Sequence, residues 1–292
     1  LKSSVINNDK GGFSSFLESQ IAQGLITEEE AYPYRDHDRW YAKLEQTGGM
    51  GQDWSTNINY ADLSDKDYLR DMYNSSTDSN RQAFIRQTAS ADYRSEHWFS
   101  GIKVDEYRLL TTTQLPYREL PRIHFNGNYQ INDWVLKLNN EYVNFVQNRY
   151  FANSFTTPET LAQALANTIY GDRINTDYSL TWDKNYTWGF VKPSVAVKGL
   201  AYQLDSKSLV AGADASPSFV VPQASLDAGL YFERDLGNNY LQTLEPRAFY
   251  FYSGYKNQDS LYKLTPNQLS FVNFDTGDLT FNYNQLFRTA RF

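Results

Sequence analysis

The sequence predicts an all-β chain of about a dozen strands, part of an antiparallel, up-and-down transmembrane β-barrel with long extracellular loops. Three observations lead to this prediction. Strand-length segments alternate apolar and polar residues, the connections between them alternate long and short, and Trp residues gather near segment ends. Aromatic residues make up 16% of the 292 residues, yet the mean hydropathy is −0.62, which is typical of sheets with one wet face.

The alternation is clearest in RINTDYSLTWDK at 173–184. Ile174, Tyr178 and Leu180 fall on one face of a strand, whereas Arg173 falls on the other. A period of two residues predicts a β-strand with one apolar and one polar face. The same pattern recurs in four further segments, at 53–63, 97–104, 223–234 and 242–252.

The connections indicate how the strands are joined. Long and short connections alternate throughout, which favours an up-and-down meander over a sandwich with Greek-key crossovers. Outer-membrane barrels have this asymmetry, with short periplasmic turns and long extracellular loops. The expected long connections are 7–37, 62–81, 111–117, 149–171, 206–220 and 254–277, and the expected short ones are 48–53, 95–97, 127–132, 184–186 and 235–238.

Two of the long connections are expected to contain short helices. Ser15 and Glu18 have the spacing of a capping box before an apolar run. Thr157 and Pro158 have the pattern of an N-cap followed by proline at the first helical position. Both segments are short, so helical turns within surface loops are expected.

All six Trp residues lie near a short turn or at a strand end. Amphipathic aromatic rings collect at the headgroup level of a membrane, so these residues predict an interfacial girdle. The interpretation is strongest for Trp182 and Trp188, which flank the short turn DKNYT. The alternative is that Trp simply favours strands.

Residues 1–292 are expected to form part of one transmembrane barrel domain. The chain begins without Met in what looks like the middle of a strand, LKSSVI, so an internal piece of a longer protein is expected.

The search for catalytic chemistry yields little, and the chain is not expected to be an enzyme or to bind a cofactor or metal. His37 lies in the sequence DHD, but a solvated acidic loop is the better interpretation because no second His or Cys cluster supports a metal site. The acidic segment 62–71 lacks the glycine and terminal glutamate of an EF-hand loop, so a hydrated extracellular loop is expected there. A net charge of −7 argues against nucleic-acid binding.

Charges on the polar faces are instead expected to line the barrel lumen, and the candidates are Lys103, Arg173, Asp177, Asp227, Glu245 and Arg247.

Several motifs match one family in order and spacing. DRWYAKLEQTG is followed by DWSTNINYADLSDKDYLRDM, by SSTD and then by PRIHFNGNY. The most specific stretch is LYFERDLGNNYLQTLEPRAFYFYS at 230–253, and FDTGDLTFNYNQLFRTARF follows it. In these motifs the sequence resembles the LptD family of outer-membrane LPS-assembly proteins of Gram-negative bacteria, also called OstA or Imp. The resemblance covers nearly the whole chain and is weakest in the long loops 11–33, 149–171 and 206–220.

This resemblance implies a barrel of about 26 strands in the outer membrane, preceded by a periplasmic β-jelly roll. It implies lipopolysaccharide as substrate, with the sugars crossing the lumen and lipid A leaving through a lateral gate. The implied partners are the plug lipoprotein LptE, the periplasmic bridge protein LptA (through the jelly roll), the barrel assembly machinery and membrane lipid. The jelly roll, the gate strands and the C-terminal half of the barrel are expected to lie outside residues 1–292, which would supply about a dozen strands of this larger barrel. Because barrel diameter and shear are linked to strand number, these strands are not expected to close by themselves. The first and last strands are then expected to be unpaired, or paired with another chain.

Two alternatives remain at this point. The first is a porin or an uptake barrel, which would share the strand pattern. The second, from a different class, is a secreted β-protein that binds or cuts polysaccharide with its aromatic residues. A secreted protein would be soluble without detergent, whereas part of a barrel would aggregate.

Overall fold

The computed structural model describes residues 1–12, 14–71, 84–110, 117–146, 169–206, 209–237, 240–261, 272, 274–275 and 278. These residues form one large antiparallel sheet, one small hairpin, three short α-helices and one 3-10 helix at Asp259–Leu261. The large sheet contains β1 (Lys2–Ile6), β2 (Arg39–Met50), β3 (Trp54–Leu63), β4 (Phe84–Arg94), β5 (Trp98–Leu109), β6 (Arg118–Ile131), β7 (Trp134–Val146), β8 (Gly171–Trp182), β9 (Lys184–Tyr186), β10 (Gly189–Leu204), β11 (Ser218–Leu230) and β14 (Arg247–Ser253). The hairpin consists of β12 (Phe232–Asp235) and β13 (Leu241–Leu244), and the helices are α1 (Ser15–Ala22), α2 (Glu28–Ala31) and α3 (Tyr68–Asp71).

The sheet is an up-and-down meander, which confirms the predicted fold class. Its strands pair in the order β1-β2-β3-β4-β5-β6-β7-β8-β10-β11-β14, and β9 pairs with the start of β10. Neighbours in this order are antiparallel, so successive connections fall at opposite ends of the sheet. We therefore distinguish a long-connection end from a short-turn end. The predicted turn at 127–132 is shifted, because β6 and β7 continue to Ile131 and from Trp134. The predicted turn at 184–186 is also shifted, because these residues form β9 and the chain turns at 187–188.

Cross-strand registers separate the side chains into two faces. Directly paired residues point to the same face. The apolar face carries the row Leu136–Leu180–Val195–Ala224–Tyr252, in which Val195 is 58% exposed and Tyr252 is 54% exposed. The neighbouring row, shifted by one residue in every strand, lies on the polar face and contains Lys137, Ser179, Ala196, Gln223 and Ser253.

Five of the six Trp residues lie at the short-turn end, and Trp40 lies at the long-connection end of β2. Trp98 stacks on Phe125 with ring centroids 4.3 Å apart. Trp134 is directly opposite Trp182 across β7 and β8. The predicted position of Trp at strand ends is therefore confirmed, while its place in a membrane girdle remains a prediction.

Buried apolar residues gather at the long-connection end. One cluster joins β3, β4 and α3 through Ala61, Leu63, Tyr68 and Ile85. The other joins the ends of β10 and β11 to residues that follow β14, and it contains Ile169, Leu200, Tyr202, Leu204, Phe219, Leu261 and Val272. The long connections thus fold onto one end of the sheet.

The first long connection contains two helices, and their caps differ from the prediction. The predicted capping pair Ser15–Glu18 is wrong by one residue, because the Ser14 hydroxyl accepts the Leu17 backbone N–H at 3.4 Å. A capping box forms later, between Thr27 and Glu30. The helix predicted after Thr157 falls mostly outside the described residues.

The segment 242–252, predicted as one strand, divides in two. β13 ends at Leu244 and β14 begins at Arg247, with Glu245 and Pro246 between them. Proline has no N–H to donate to a ladder, which explains an interruption at this point. β12 and β13 then form a separate two-stranded sheet beyond the end of β11.

Within the described strands the sheet is open. β1 pairs with β2 alone and β14 pairs with β11 alone among these strands. Residues 279–292 lie outside the described part, and the expectation that the strands do not close into a ring by themselves stays a prediction. Among the described helices, none combines the length and apolar character needed to cross a bilayer.

We expect the two ends of the sheet to face opposite sides of the membrane. Single cysteines can be introduced at Glu96, in a short turn, and at Asn257, beyond β14, because the chain contains no cysteine of its own. Both residues are exposed. A membrane-impermeant thiol reagent should label Asn257→Cys on intact cells and Glu96→Cys only after permeabilisation. The reverse pattern would contradict the topology.

Candidate functional site

Charged side chains form rows across the polar face near the long-connection end. The register places Lys103, Arg122, Val143, Arg173 and Tyr202 directly opposite one another across β5, β6, β7, β8 and β10. Such a row is possible only if every strand keeps its alternation in phase with its neighbours. Two of the predicted lumen-facing residues, Lys103 and Arg173, are thereby brought into one region.

Arg173 is the centre of this region, and its side chain is 1% exposed. Its guanidinium donates to Glu141 at 2.8 Å and to Asp278 at 2.9 Å, and it also pairs with both carboxylate oxygens of Asp275. The planar guanidinium can donate to several carboxylates at fixed angles, which Lys cannot do. The carbon atom of the guanidinium lies 4.8 Å from the centre of the Phe145 ring.

Arg122 extends the network onto β6. It donates to Glu119 and to Asp275, each at 2.8 Å, and lies 3.2 Å from Glu141. Arg122 and Arg173 together contact four carboxylates, which belong to Glu119, Glu141, Asp275 and Asp278. Taking these charges out of water is costly, and removing one partner leaves the others uncompensated.

A neighbouring centre surrounds Asp105 on β5, whose side chain is 1% exposed. Arg86 donates to it at 2.7 and 2.5 Å, and Lys103 lies 2.5 Å away. Lys103 therefore helps to neutralise the charge of the buried Asp105 carboxylate, next to the network around Arg122.

Four described residues beyond β14 are fixed on the polar face: Val272, Phe274, Asp275 and Asp278, which we call the anchor residues. Phe274 stacks on Phe145 with ring centroids 4.3 Å apart. The Tyr202 hydroxyl donates to the Asp278 carbonyl at 2.6 Å. Burial raises the pKa of Asp278, and Arg173 and the Asp275 backbone N–H counter that shift. Burial also raises the pKa of Tyr117, which meets Phe274 edge-on, to about 12.

The remaining predicted lumen residues lie apart from this network. Asp177 on β8 is 3.4 Å from Lys198. Asp227 on β11 accepts from Arg247 at 2.7 Å, near the short-turn end. Glu245 is exposed and lies between β13 and β14, so it does not share a continuous strand with Arg247.

A third charged centre, which the sequence did not indicate, holds the first long connection. Arg39 at the start of β2 donates to Asp65 at 2.8 and 2.9 Å, and to Asp9 and Asp71 at 3.1 Å each. A hydrogen bond from the Gly11 backbone N–H, together with Arg39, holds the pKa of Asp9 below its usual range. The acidic segment 62–71, predicted to be a hydrated loop, thus folds onto a buried arginine.

A pocket of about 350 Å³ adjoins the Arg39 centre, and Tyr32, Tyr34 and Arg35 form part of its lining.

The chemistry of these centres is structural. Within the described ranges, no three His, Asp or Glu side chains are grouped so that they could hold a metal ion. His124 lies 3.5 Å from Asp92, and His97 stacks on Tyr129. The arrangement is suited to holding chain segments against the sheet.

The comparisons with known proteins agree on one family. The model of the family LptD, described as LPS transport system D, matches residues 37–292. An LPS-assembly protein LptD of Saccharophagus degradans is 38% identical over 288 residues, which covers 98% of this chain and 32% of that protein. LptD proteins of Pseudomonas savastanoi and Hahella chejuensis are 33% and 30% identical, covering 88% and 94% of this chain and 29% and 33% of their own lengths. The chain therefore spans about a third of the length of these relatives.

We expect Arg39→Gln to release the first long connection. Three carboxylates would lose their buried cation, and breaking a buried pair costs on the order of 3–5 kcal/mol. Limited proteolysis should then cut within residues 7–38 faster than in the wild type. Lys10→Gln, which removes an exposed pair with Asp36, is the matched control and should leave the rate unchanged. Equal rates for wild type and Arg39→Gln would contradict the assignment.

Proposed function

The chain belongs to the LptD family, LPS transport system D, and from this premise we propose that it forms part of an outer-membrane barrel that transports and assembles lipopolysaccharide. The observation that carries the proposal is the in-phase separation of an apolar and a polar face across the large sheet. A transporter of an amphipathic glycolipid needs an apolar surface and a polar surface on opposite faces of the same sheet.

The apolar face is proposed to contact lipid. Large side chains such as Leu180, Val195 and Leu226 are between 38% and 58% exposed on it. In water such a surface would drive association, whereas in a bilayer it is matched to the solvent. The backbone groups of the same strands are paired within the sheet, as hydrocarbon requires.

The polar face is proposed to line the lumen and to meet the sugars of lipopolysaccharide. Away from the Arg173 network it carries hydroxyl and amide groups, including Ser179, Gln223 and Ser253. These groups can exchange hydrogen bonds with a hydrated saccharide without a strong charge preference. The lipid A portion would leave laterally between the first and last strands of the complete barrel.

The complete protein is proposed to work with the partners that the family resemblance implies. LptE would fill the lumen, LptA would deliver lipopolysaccharide through the jelly roll, and the barrel assembly machinery would insert the barrel in the Gram-negative outer membrane. Lys103, Arg173, Asp177, Asp227 and Arg247 are proposed to face the lumen, and Glu245 its short-turn mouth. The family match favours this function over a general porin.

A charge on the apolar face should impair assembly. An Arg at the membrane midplane costs on the order of 2–4 kcal/mol. Leu180→Arg and Leu226→Arg should therefore lower the amount of assembled barrel and the lipopolysaccharide at the cell surface. Ser179→Arg and Ser225→Arg, one residue earlier on the opposite face, are the matched controls and should be tolerated. Equal sensitivity on both faces would argue against lipid contact.

Glu245 and Arg247 are expected to support the plug lipoprotein. Replacing both with Ala removes two charges near the short-turn end and should reduce co-purification of the plug with the full-length protein. The control is Asp133→Ala with Lys184→Ala, an ion pair of 2.5 Å at the same end. Unchanged plug recovery with the Glu245 and Arg247 replacements would show that these residues serve only the sheet, through the contact of Arg247 with Asp227.

A further inference from the structure

The hairpin of β12 and β13 continues the ribbon that β11 and β14 form in the large sheet. Gly229 pairs with Arg247 across β11 and β14, and Phe232 pairs with Leu244 three residues further along both strands. The register is therefore the same in the ribbon and in the hairpin. Even-numbered residues of the hairpin consequently keep the side of Leu226, which is the apolar face.

The two sides of the hairpin differ in character. The side that continues the apolar face carries four large residues between 52% and 70% exposed, which are Phe232, Leu236, Tyr240 and Leu244. The other side carries three exposed carboxylates and two further residues, which are Glu233, Asp235, Glu245, Leu241 and Thr243. The hairpin is therefore amphipathic, with an uncovered apolar side and an acidic side.

The hairpin extends past the short-turn end of the large sheet. β10, the neighbour of β11, begins at Gly189 opposite Leu230, and the Tyr231 backbone N–H donates to the Trp188 carbonyl at 2.8 Å. Beyond this bond, β12 pairs with β13 alone among the described strands. Leu236 follows Leu230 by six residues. This is a length of about 20 Å at about 3.3 Å per residue, well past the level of Trp188.

Pro246 marks the place where the hairpin can bend relative to the large sheet. Its carbonyl accepts the Leu230 backbone N–H at 3.0 Å, but proline has no N–H with which to return a bond. An antiparallel pair of this kind otherwise exchanges two hydrogen bonds. A straight continuation would hold the apolar side in water, whereas a bend at Pro246 lays it on the membrane surface beside the large sheet.

We propose that the β12–β13 hairpin lies on the phospholipid surface at the short-turn side of the membrane, which is periplasmic in the predicted topology. Its apolar side would rest in the headgroup region and its acidic side in water, the orientation in which amphipathic segments bind a bilayer. The inference rests on the proposed function for the lipid contact of the apolar face. Continuity with that face favours lipid over a protein partner.

Two side chains of the apolar side fit the headgroup region. Tyr240 has an amphipathic ring, and such rings collect at this level of a membrane. Arg234 is exposed and lies opposite the uncharged Gln242, between the two apolar pairs of the same side. A guanidinium at this position can donate two hydrogen bonds to a phospholipid phosphate.

The test places a photoreactive benzophenone amino acid at Leu244 or at Thr243 of the full-length protein, assembled in cells with its natural partners. After irradiation, phospholipid adducts are measured by mass spectrometry of the labelled peptide, and protein adducts by gel mobility. Leu244 should give several-fold more phospholipid adduct than Thr243, because only Leu244 points to the apolar side. Equal phospholipid adducts at both positions, or a protein or lipopolysaccharide adduct in place of phospholipid at Leu244, would overturn the proposal.

The same probe at Leu226 on β11 separates this inference from the proposed function. Leu226 lies within the large sheet and should also capture lipid. Lipid adducts at Leu226 without phospholipid adducts at Leu244 reject the membrane contact of the hairpin and leave the proposed function intact. Absence of lipid adducts at Leu226 rejects the lipid contact of the whole apolar face, and the inference with it.

A charge reversal tests the contact with phosphate. With the probe at Leu244, Arg234→Glu should lower the phospholipid adduct several-fold, whereas Arg234→Lys keeps the cation and should retain the adduct. Glu233→Gln changes a charge on the acidic side, one residue away, and is the matched control that should leave the adduct unchanged. An undiminished adduct in Arg234→Glu would contradict the role of Arg234.

Discussion

The structure depends on one constraint: the strands must keep their side-chain alternation in phase across a continuous hydrogen-bonded ladder. A slip of one residue in β8 would move Arg173 to the apolar face and Ile174 to the polar face. The unbroken register of β10 with both β8 and β11 prevents this. Because the faces stay separate, large apolar residues can be exposed together on one side while charges collect on the other.

The collected charges have a positional role more than a stabilising one. A buried network of arginines and carboxylates contributes little net stability, since desolvation offsets most of the attraction. The network nevertheless favours one position of the chain segment around Asp275. If Asp275 were displaced, Arg173 and Arg122 would each lose a carboxylate partner. Arg39 does the same for the first long connection through Asp9, and for the segment after β3 through Asp65. In both places a single buried arginine determines where an otherwise irregular segment rests.

Local patterns predicted the sheet well because strand period and turn length are local properties. The strands around Leu180 and Leu226 and the Trp residues at their ends follow directly from residue order. The charged centres could not be found this way, since the contact between Arg122 and Asp275 joins residues 153 positions apart. Of the predicted lumen residues, Lys103 and Arg173 do meet in one region. Glu245 is separated from its strand by Pro246, a backbone effect that the alternation pattern does not register.

The distribution of contacts also orders the events of folding. Most strands pair with their neighbours in sequence, so each can add to an existing edge by closing one connection, short or long. The anchor residues are different, because their partners are spread from β6 to β11 and have no common surface until those strands are aligned. Ordering the anchor residues is therefore a late step that depends on the register already achieved. A sheet with a slipped strand would lack a complete site for Asp275 and Asp278.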